Sequence, residues 1–256
     1  MLEKTEYLNC NRMISFIKQV HNYEKINSII LTGGEPMLLK NIKDIIKQLM
    51  EYSKNISLLT NGTLIEDDID FFVTNSIEVQ VSLDSYKTSY HEKIRGYQKK
   101  TVDALKKFSK LSYRNVSINF TATPLNYKLL PEIKEFVDNN NFKLNVGIVN
   151  SKSPIFDWKL TSLETKRDFL HLYKESNIVS YKNKLLEYFL FRNQEEIYCP
   201  NINRCFTVDV NGNVMRCYSD YIIGNIYSME VNRIIESMLH TKEARCPVRI
   251  SCFDNI

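Results

Sequence analysis

A parallel α/β fold followed by a small second region is what this chain predicts, on three observations. Apolar runs of strand length alternate with stretches of helical spacing, and each run ends in glycine or polar residues. The alternation then stops after Asn150, and five of the six cysteines gather in the last quarter. Strands that alternate with helices are joined by right-handed crossovers, which leads to a barrel or a doubly wound sheet.

The chain opens on a helix over residues 9–21, where Met13, Phe16, Ile17 and Val20 recur at helical intervals and Asn9 or Asn11 can cap. A strand follows at 28–31 and ends in Gly33-Gly34-Glu35-Pro36. Residues 41–52 form the next helix, with Ile42, Ile45, Ile46 and Leu49 on one face. The pattern continues as strand 56–59, helix 64–73, strand 77–83, helix 101–111, strand 116–122, helix 130–137 and strand 142–149. Residues 151–160 are an irregular connection carrying Pro154 and the single tryptophan, Trp158. Residues 164–193 are rich in helix, and their stripe of Phe169, Tyr173, Leu186 and Phe189 reads as core. Residues 206–210 and 213–217 flank Asn211-Gly212 as a hairpin, and 231–240 are a short helix.

Composition excludes several classes of function. At 256 residues the chain can bury a sizeable core. Its charge of +4, from 34 basic and 30 acidic residues, is spread without blocks, which argues against nucleic acid as a partner. No apolar run approaches the roughly 18 residues a membrane helix needs, and the N-terminus lacks the apolar segment of a signal peptide. No membrane partner is expected, and the default location is the cytoplasm. In such a chain Cys199, Cys205, Cys217, Cys246 and Cys252 read as metal ligands before disulfides.

Polar groups collect where the strands end: Gly33, Gly34 and Glu35, then Thr60 and Asn61, Ser82 with Asp84, Thr121 with Thr123, and Asn150. Ligand sites of parallel α/β folds lie at those carboxyl ends. Two glycines let a ligand approach bare backbone, and a carboxylate beside them accepts from a cation.

LTGGEP, LLTNGT and VSLDS, the last followed by His91-Glu92-Lys93-Ile94-Arg95-Gly96, resemble the radical S-adenosylmethionine (radical SAM) enzymes. The tail C-x5-C-x6-G-x4-C, then Gly224-Asn225-Ile226 and C-x5-C, is similar to their SPASM or twitch extension. The resemblance implies a partial (β/α)6 TIM-like barrel lacking its first strand over residues 1–160. A helical connector would follow at 161–198, and an auxiliary-cluster domain with a hairpin and short helix at 199–256. It further implies that the GGEP stretch, Gly33 to Pro36, receives the methionyl ammonium of S-adenosylmethionine at Glu35. Ser82 and Arg95, in the stretch that includes Asp84, would hold its carboxylate. Asn61 and Thr121 would sit near the ribose, Thr60 would stand beside Asn61 among the cofactor-binding residues, and Ile148 and Val149 would lie near the adenine. The implied chemistry is hydrogen abstraction by a 5'-deoxyadenosyl radical from a peptide or protein substrate, with ferredoxin or flavodoxin as reductant.

Two departures from the family pattern shape the expectation. Radical SAM enzymes carry C-x3-C-x2-C after their first barrel strand, for a four-iron cluster, and this sequence has only Cys10 near the first helix. The reading is that Met1 is an internal start, about 15 to 25 residues short of a strand and its loop. Its rival is a degenerate barrel that binds a peptide or partner protein. The tail has Glu243 and Ile256 where a full SPASM pattern has further cysteines, so one [4Fe-4S] auxiliary cluster is expected, although a structural zinc also takes four thiolates. Where sulfatase-maturing relatives have a catalytic carboxylate, this chain has Tyr218, with Asp220 two residues on, and these are the candidate catalytic groups.

Overall fold

The computed structural model describes residues 9–87, 89–148, 154–176, 186–187, 190–191, 205–216 and 222–239. Contacts divide the chain into two units that cut across sequence order. One is Ser28–Asp44 with Asn55–Gln194, and the other is Met1–Asn27, Ile45–Lys54 and Glu195–Ile256.

Helix α1 is Cys10–Tyr23, α2 Ile42–Leu49, α3 Ile69–Thr74, α4 Tyr90–Ile94, α5 Gln98–Lys110, α6 Leu130–Asn140, α7 Leu163–Glu175 and α8 Val231–Leu239. The first unit is built on strands β1 (Ser28–Leu31), β2 (Asn55–Thr60), β3 (Glu78–Ser82), β4 (Val116–Ala122) and β5 (Lys143–Ile148). All neighbours are parallel and the order is β1-β2-β3-β4-β5. The expected α/β class and its five parallel strands are therefore both observed.

Register sorts the strand residues onto two faces. Ile56, Leu58, Val79, Val81, Val116, Ile118, Phe120 and Val146 share one face and are buried there. Each such side chain removed from water stabilises the fold by roughly 1.5–3 kcal/mol before conformational entropy is subtracted. The aromatic stripe is core as expected: Phe169 stacks on Trp158 with centroids 4.8 Å apart, and Phe169, Tyr173 and Leu186 are buried. Trp158 also donates its indole N–H to the Ala122 carbonyl at 3.1 Å, which ties the irregular connection to the end of β4. Phe189 lies outside the described residues.

In the second unit, β6 (Phe206–Val208) pairs antiparallel with β7 (Asn213–Arg216), the hairpin expected around Asn211-Gly212. A third strand, β8 (Ile222–Asn225), adds to β7. Packing explains its glycine: a Cβ on Gly224 would stand 2.7 Å from Ile234 Cγ1 of α8. Arg216 closes α8, its Nη2 donating to the Ser237 and Met238 carbonyls at 3.0 and 2.9 Å. On α1, Phe16 meets Phe206 edge-on at 5.6 Å, and Arg12 Nε donates to the Ile226 carbonyl at 2.8 Å.

Most expected elements are observed with ends shifted by one to three residues, and three larger differences stand out. The 64–73 helix begins only at Ile69, because Glu66-Asp67-Asp68 forms a 3₁₀ turn first. Helix α4 was not expected, since five residues are too few to show a period. Nor was β8, whose four residues include a glycine, a poor strand former.

Candidate functional site

At the end of β1, Gly33 has φ +155°, a conformation that side chains with a Cβ rarely adopt, and Cβ atoms at Gly33 and Gly34 would meet nothing within 4 Å. The backbone here is approachable. Glu35 follows as the cap of a 3₁₀ turn that starts with buried Pro36. Its Oε1 accepts from the Met37 N–H at 3.1 Å and the Thr60 hydroxyl at 2.8 Å, and its Oε2 from the Asn61 N–H at 2.8 Å. A carboxylate offers about four acceptor positions, so one remains for a ligand donor. Thr60 is held in turn by the Gly62 N–H at 3.0 Å. Asn61 spends its Oδ1 on the Thr63 N–H and hydroxyl at 2.9 and 2.7 Å, which leaves its amide group to donate outward.

A second cluster forms at the end of β3. Asp84 is only 2% exposed, and its Oδ2 accepts from Arg95 Nε at 2.6 Å. Oδ1 adds longer contacts at 3.4 Å to Arg95 Nη2 and to the Thr121 N–H, and Arg95 Nη2 reaches the Thr121 hydroxyl at 3.4 Å. The guanidinium expected to fork onto a ligand carboxylate is thus taken by Asp84 along one edge, and its Nη1 edge is what remains. Ser82, half-buried at the end of β3, accompanies it.

Three residues that received no role from the sequence shape this second cluster. His91, 1% exposed, accepts from the Asp84 N–H on Nδ1 at 3.1 Å. Burial lowers its pKa, and as an acceptor on Nδ1 it is a neutral ring protonated on Nε2. Glu132 of α6 takes the Ser85 hydroxyl at 2.7 Å and the Tyr86 and Lys87 N–H groups at 2.7 and 2.9 Å, all on Oε1. Asn126 holds Thr123 and donates to the Thr121 carbonyl at 3.0 Å. His91 was visible as part of its motif. Glu132 lies 47 residues from Ser85, too far for local pattern to reveal.

Of the other candidates, Cys205 is exposed at the foot of β6. Val149, Asn150, Tyr218, Asp220, Cys199, Cys217, Cys246 and Cys252 lie outside the described residues. Among the described residues no three His, Cys, Asp or Glu side chains stand together as a metal site, and no helix is long and apolar enough to cross a membrane.

Residues 3–137 match the Radical SAM superfamily, and residues 199–254 match the SPASM iron-sulfur cluster-binding domain. This chain belongs to the radical SAM superfamily. Its 115 residues in common with the probable GTP 3',8-cyclase of Methanocaldococcus jannaschii are 35% identical and cover 43% of this chain and 39% of that protein. With the GTP 3',8-cyclase of Synechocystis sp., 86 residues are 33% identical, covering 33% of this chain and 26% of that protein. The radical SAM chain therefore spans about two-fifths or less of these relatives' lengths. Among solved structures, Streptococcus suis SuiB bound to S-adenosylmethionine matches with a TM-score of 0.65 and 14% identity, over 87% of this chain and 57% of that one. SuiB bound to its precursor peptide SuiA matches at 0.66 and 15%, over 88% and 57%. At that identity the likeness is one of fold.

Family membership implies S-adenosylmethionine and iron–sulfur clusters as cofactors. The strand ends suit the first: Glu35 has an acceptor left for an ammonium, and Asn61, Ser82 and Arg95 supply donors for a carboxylate and hydroxyls. Five cysteines within residues 199–252 suit thiolate ligation of an auxiliary cluster. The C-x3-C-x2-C triad of the radical-generating cluster does not occur in this sequence, so its residues do not fit that group.

Proposed function

We propose that this chain is the S-adenosylmethionine-binding and substrate-binding part of a radical SAM enzyme that modifies a peptide or protein. The observation that carries the proposal is Glu35, fixed by three neutral donors with an acceptor position left over, directly after two exposed, uncrowded glycines in the chain. A protein carboxylate so held takes the methionyl ammonium, while Arg95 Nη1 and the Ser82 hydroxyl take the methionyl carboxylate. Asn61 and Thr121 border the ribose, and Val149 the adenine. Bound S-adenosylmethionine supplies such enzymes with a 5'-deoxyadenosyl radical for hydrogen abstraction. No step of that cleavage is assigned to these residues, because the cluster it requires has no ligands among them.

Residues 1–160 form the cofactor domain in this reading, 161–198 a connector, and 199–256 the auxiliary-cluster domain, with Tyr218 and Asp220 as its candidate catalytic groups. A ferredoxin or flavodoxin is the reductant. The fold of SuiB, solved with its precursor peptide, supports a peptide substrate. A second reading is a degenerate barrel that binds a peptide or partner protein without chemistry.

The test is equilibrium dialysis of S-adenosylmethionine against the whole chain. Wild type should bind, and Glu35→Gln should bind about tenfold more weakly or worse, the loss of one charge-assisted hydrogen bond. Equal affinities would remove Glu35 from the site and the proposal with it.

A further inference from the structure

A lysine stands where α7 is otherwise core. Lys166, Phe169 and Tyr173 make up the buried stripe of this helix at spacings of three and four, and Lys166 is only 8% exposed. Burying a charge without a partner costs free energy. Yet among the described residues its ammonium makes no hydrogen bond or ion pair. The nearest carboxylates on its own helix do not supply one. Glu164 and Asp168 lie two positions to either side and do not share its face, and Asp168 accepts from the Tyr127 hydroxyl at 2.8 Å.

Its place on the helix makes the missing partner an anion. Lys166 is the fourth residue of α7, and helical side chains lean back toward the amino end. The ammonium therefore adds to the positive end of the helix dipole, where a cation is unfavourable and an anion is favourable. Ser162 caps that end and accepts the Thr165 N–H on its hydroxyl at 3.2 Å. The Leu163 and Glu164 N–H groups of the first turn have no acceptor among the described residues. Open backbone donors and an unpaired ammonium thus stand at one helix end.

Apolar side chains show what carries the anion. Leu160 is 70% exposed and Leu163 is also exposed, one on each side of the Ser162 cap in the chain. Bare leucines beside a single lysine do not suit a polyphosphate, which calls for several Arg or Lys. They suit a carboxylate that a peptide carries between aliphatic residues. The strand ends are within reach of such a peptide. Trp158 donates to the carbonyl of Ala122, the last residue of β4, and Ser162 follows four residues on, so it stands within about 14 Å of Trp158. An extended peptide covers that span in about four residues.

We infer that the amino end of α7, with Lys166, is a docking site for the substrate peptide apart from the strand-end site, and that it takes an acidic residue between aliphatic ones. This rests on the peptide reading above. The experiment measures fluorescence anisotropy of two labelled synthetic peptides on the intact chain, identical except that one carries Leu-Glu-Leu and the other Leu-Gln-Leu. Wild type should bind the Glu peptide about tenfold more tightly, the worth of one charge-assisted hydrogen bond. Lys166→Met keeps an unbranched buried stem without the charge and should bind both peptides alike, while Lys166→Arg should keep the preference. If thermal melting shows Lys166→Met to be unfolded, Leu160→Ser, a change on the surface, should weaken both peptides about threefold. A preference absent from wild type or surviving Lys166→Met, or peptides indifferent to Leu160→Ser, would overturn the docking site and leave the peptide reading standing. Failure of wild type to bind either peptide would overturn both. Inorganic phosphate that binds as tightly as the Glu peptide, and is lost in Lys166→Met, would reassign the site to a phosphate.

Discussion

Two strand ends of one sheet treat their carboxylates in opposite ways. Glu35, after β1, is surrounded by neutral donors: two backbone N–H groups and a threonine hydroxyl. Asp84, after β3, is buried against a guanidinium 2.6 Å away. Neutral donors orient a carboxylate without cancelling its charge, so Glu35 retains attraction for a cation. An ion pair cancels it, so Asp84 attracts nothing further and acts instead by holding Arg95 in place. The difference teaches that matching charged residues at matching strand ends do not have matching roles. One is available to a ligand and the other is committed to the fold.

The contrast breaks if the two respond alike to neutralisation. Arg95→Ala should cause the largest loss of stability, about 3 kcal/mol in urea unfolding, because it strands the buried Asp84 charge. The figure sits at the low end of the range for buried pairs since the Arg95 side chain is 30% exposed. Glu35→Gln should cost less, about 1 kcal/mol, the loss of a single acceptor to a backbone N–H. A stability loss for Glu35→Gln equal to that of Arg95→Ala would mean that Glu35 too is a structural group.

The sheet was legible because its strands are short apolar runs with glycine or polar stops. Ser28–Leu31 and Val116–Ala122 are observed with the expected bounds. The cofactor candidates were legible as motifs, from GGEP to the arginine after VSLDS. The partners of those candidates were not. That Arg95 would be held by Asp84 depends on how α4 turns the chain back over 11 residues, and α4 is too short to announce itself. The polar face of β3, β4 and β5 was present as alternation in EVQVS, VSINFTA and KLNVGI, yet only register shows that Gln80, Asn119 and Asn145 fall on one side.

The smallest expected effect sharpens the comparison at the Asp84 end, and it comes from His91. Burial lowers the folded-state pKa of this ring below the usual 6.5, against the opposing pull of Asp84 and Glu92 and with the help of Arg95. The unfolded chain therefore takes up the proton first as pH falls. Stability is fully present above about pH 6.5 and declines below it, by less than about 1 kcal/mol at pH 6 and with a slope that cannot exceed about 1.4 kcal/mol per pH unit. Protonation would place a second N–H on Nδ1, opposite the Asp84 N–H it now accepts from, so the loss is felt where Asp84 is anchored. Urea unfolding between pH 5.5 and 7 should show this decline in wild type and a flatter profile in His91→Gln. Identical profiles would mean that His91 keeps an ordinary affinity for its proton and does not anchor Asp84 as a neutral acceptor.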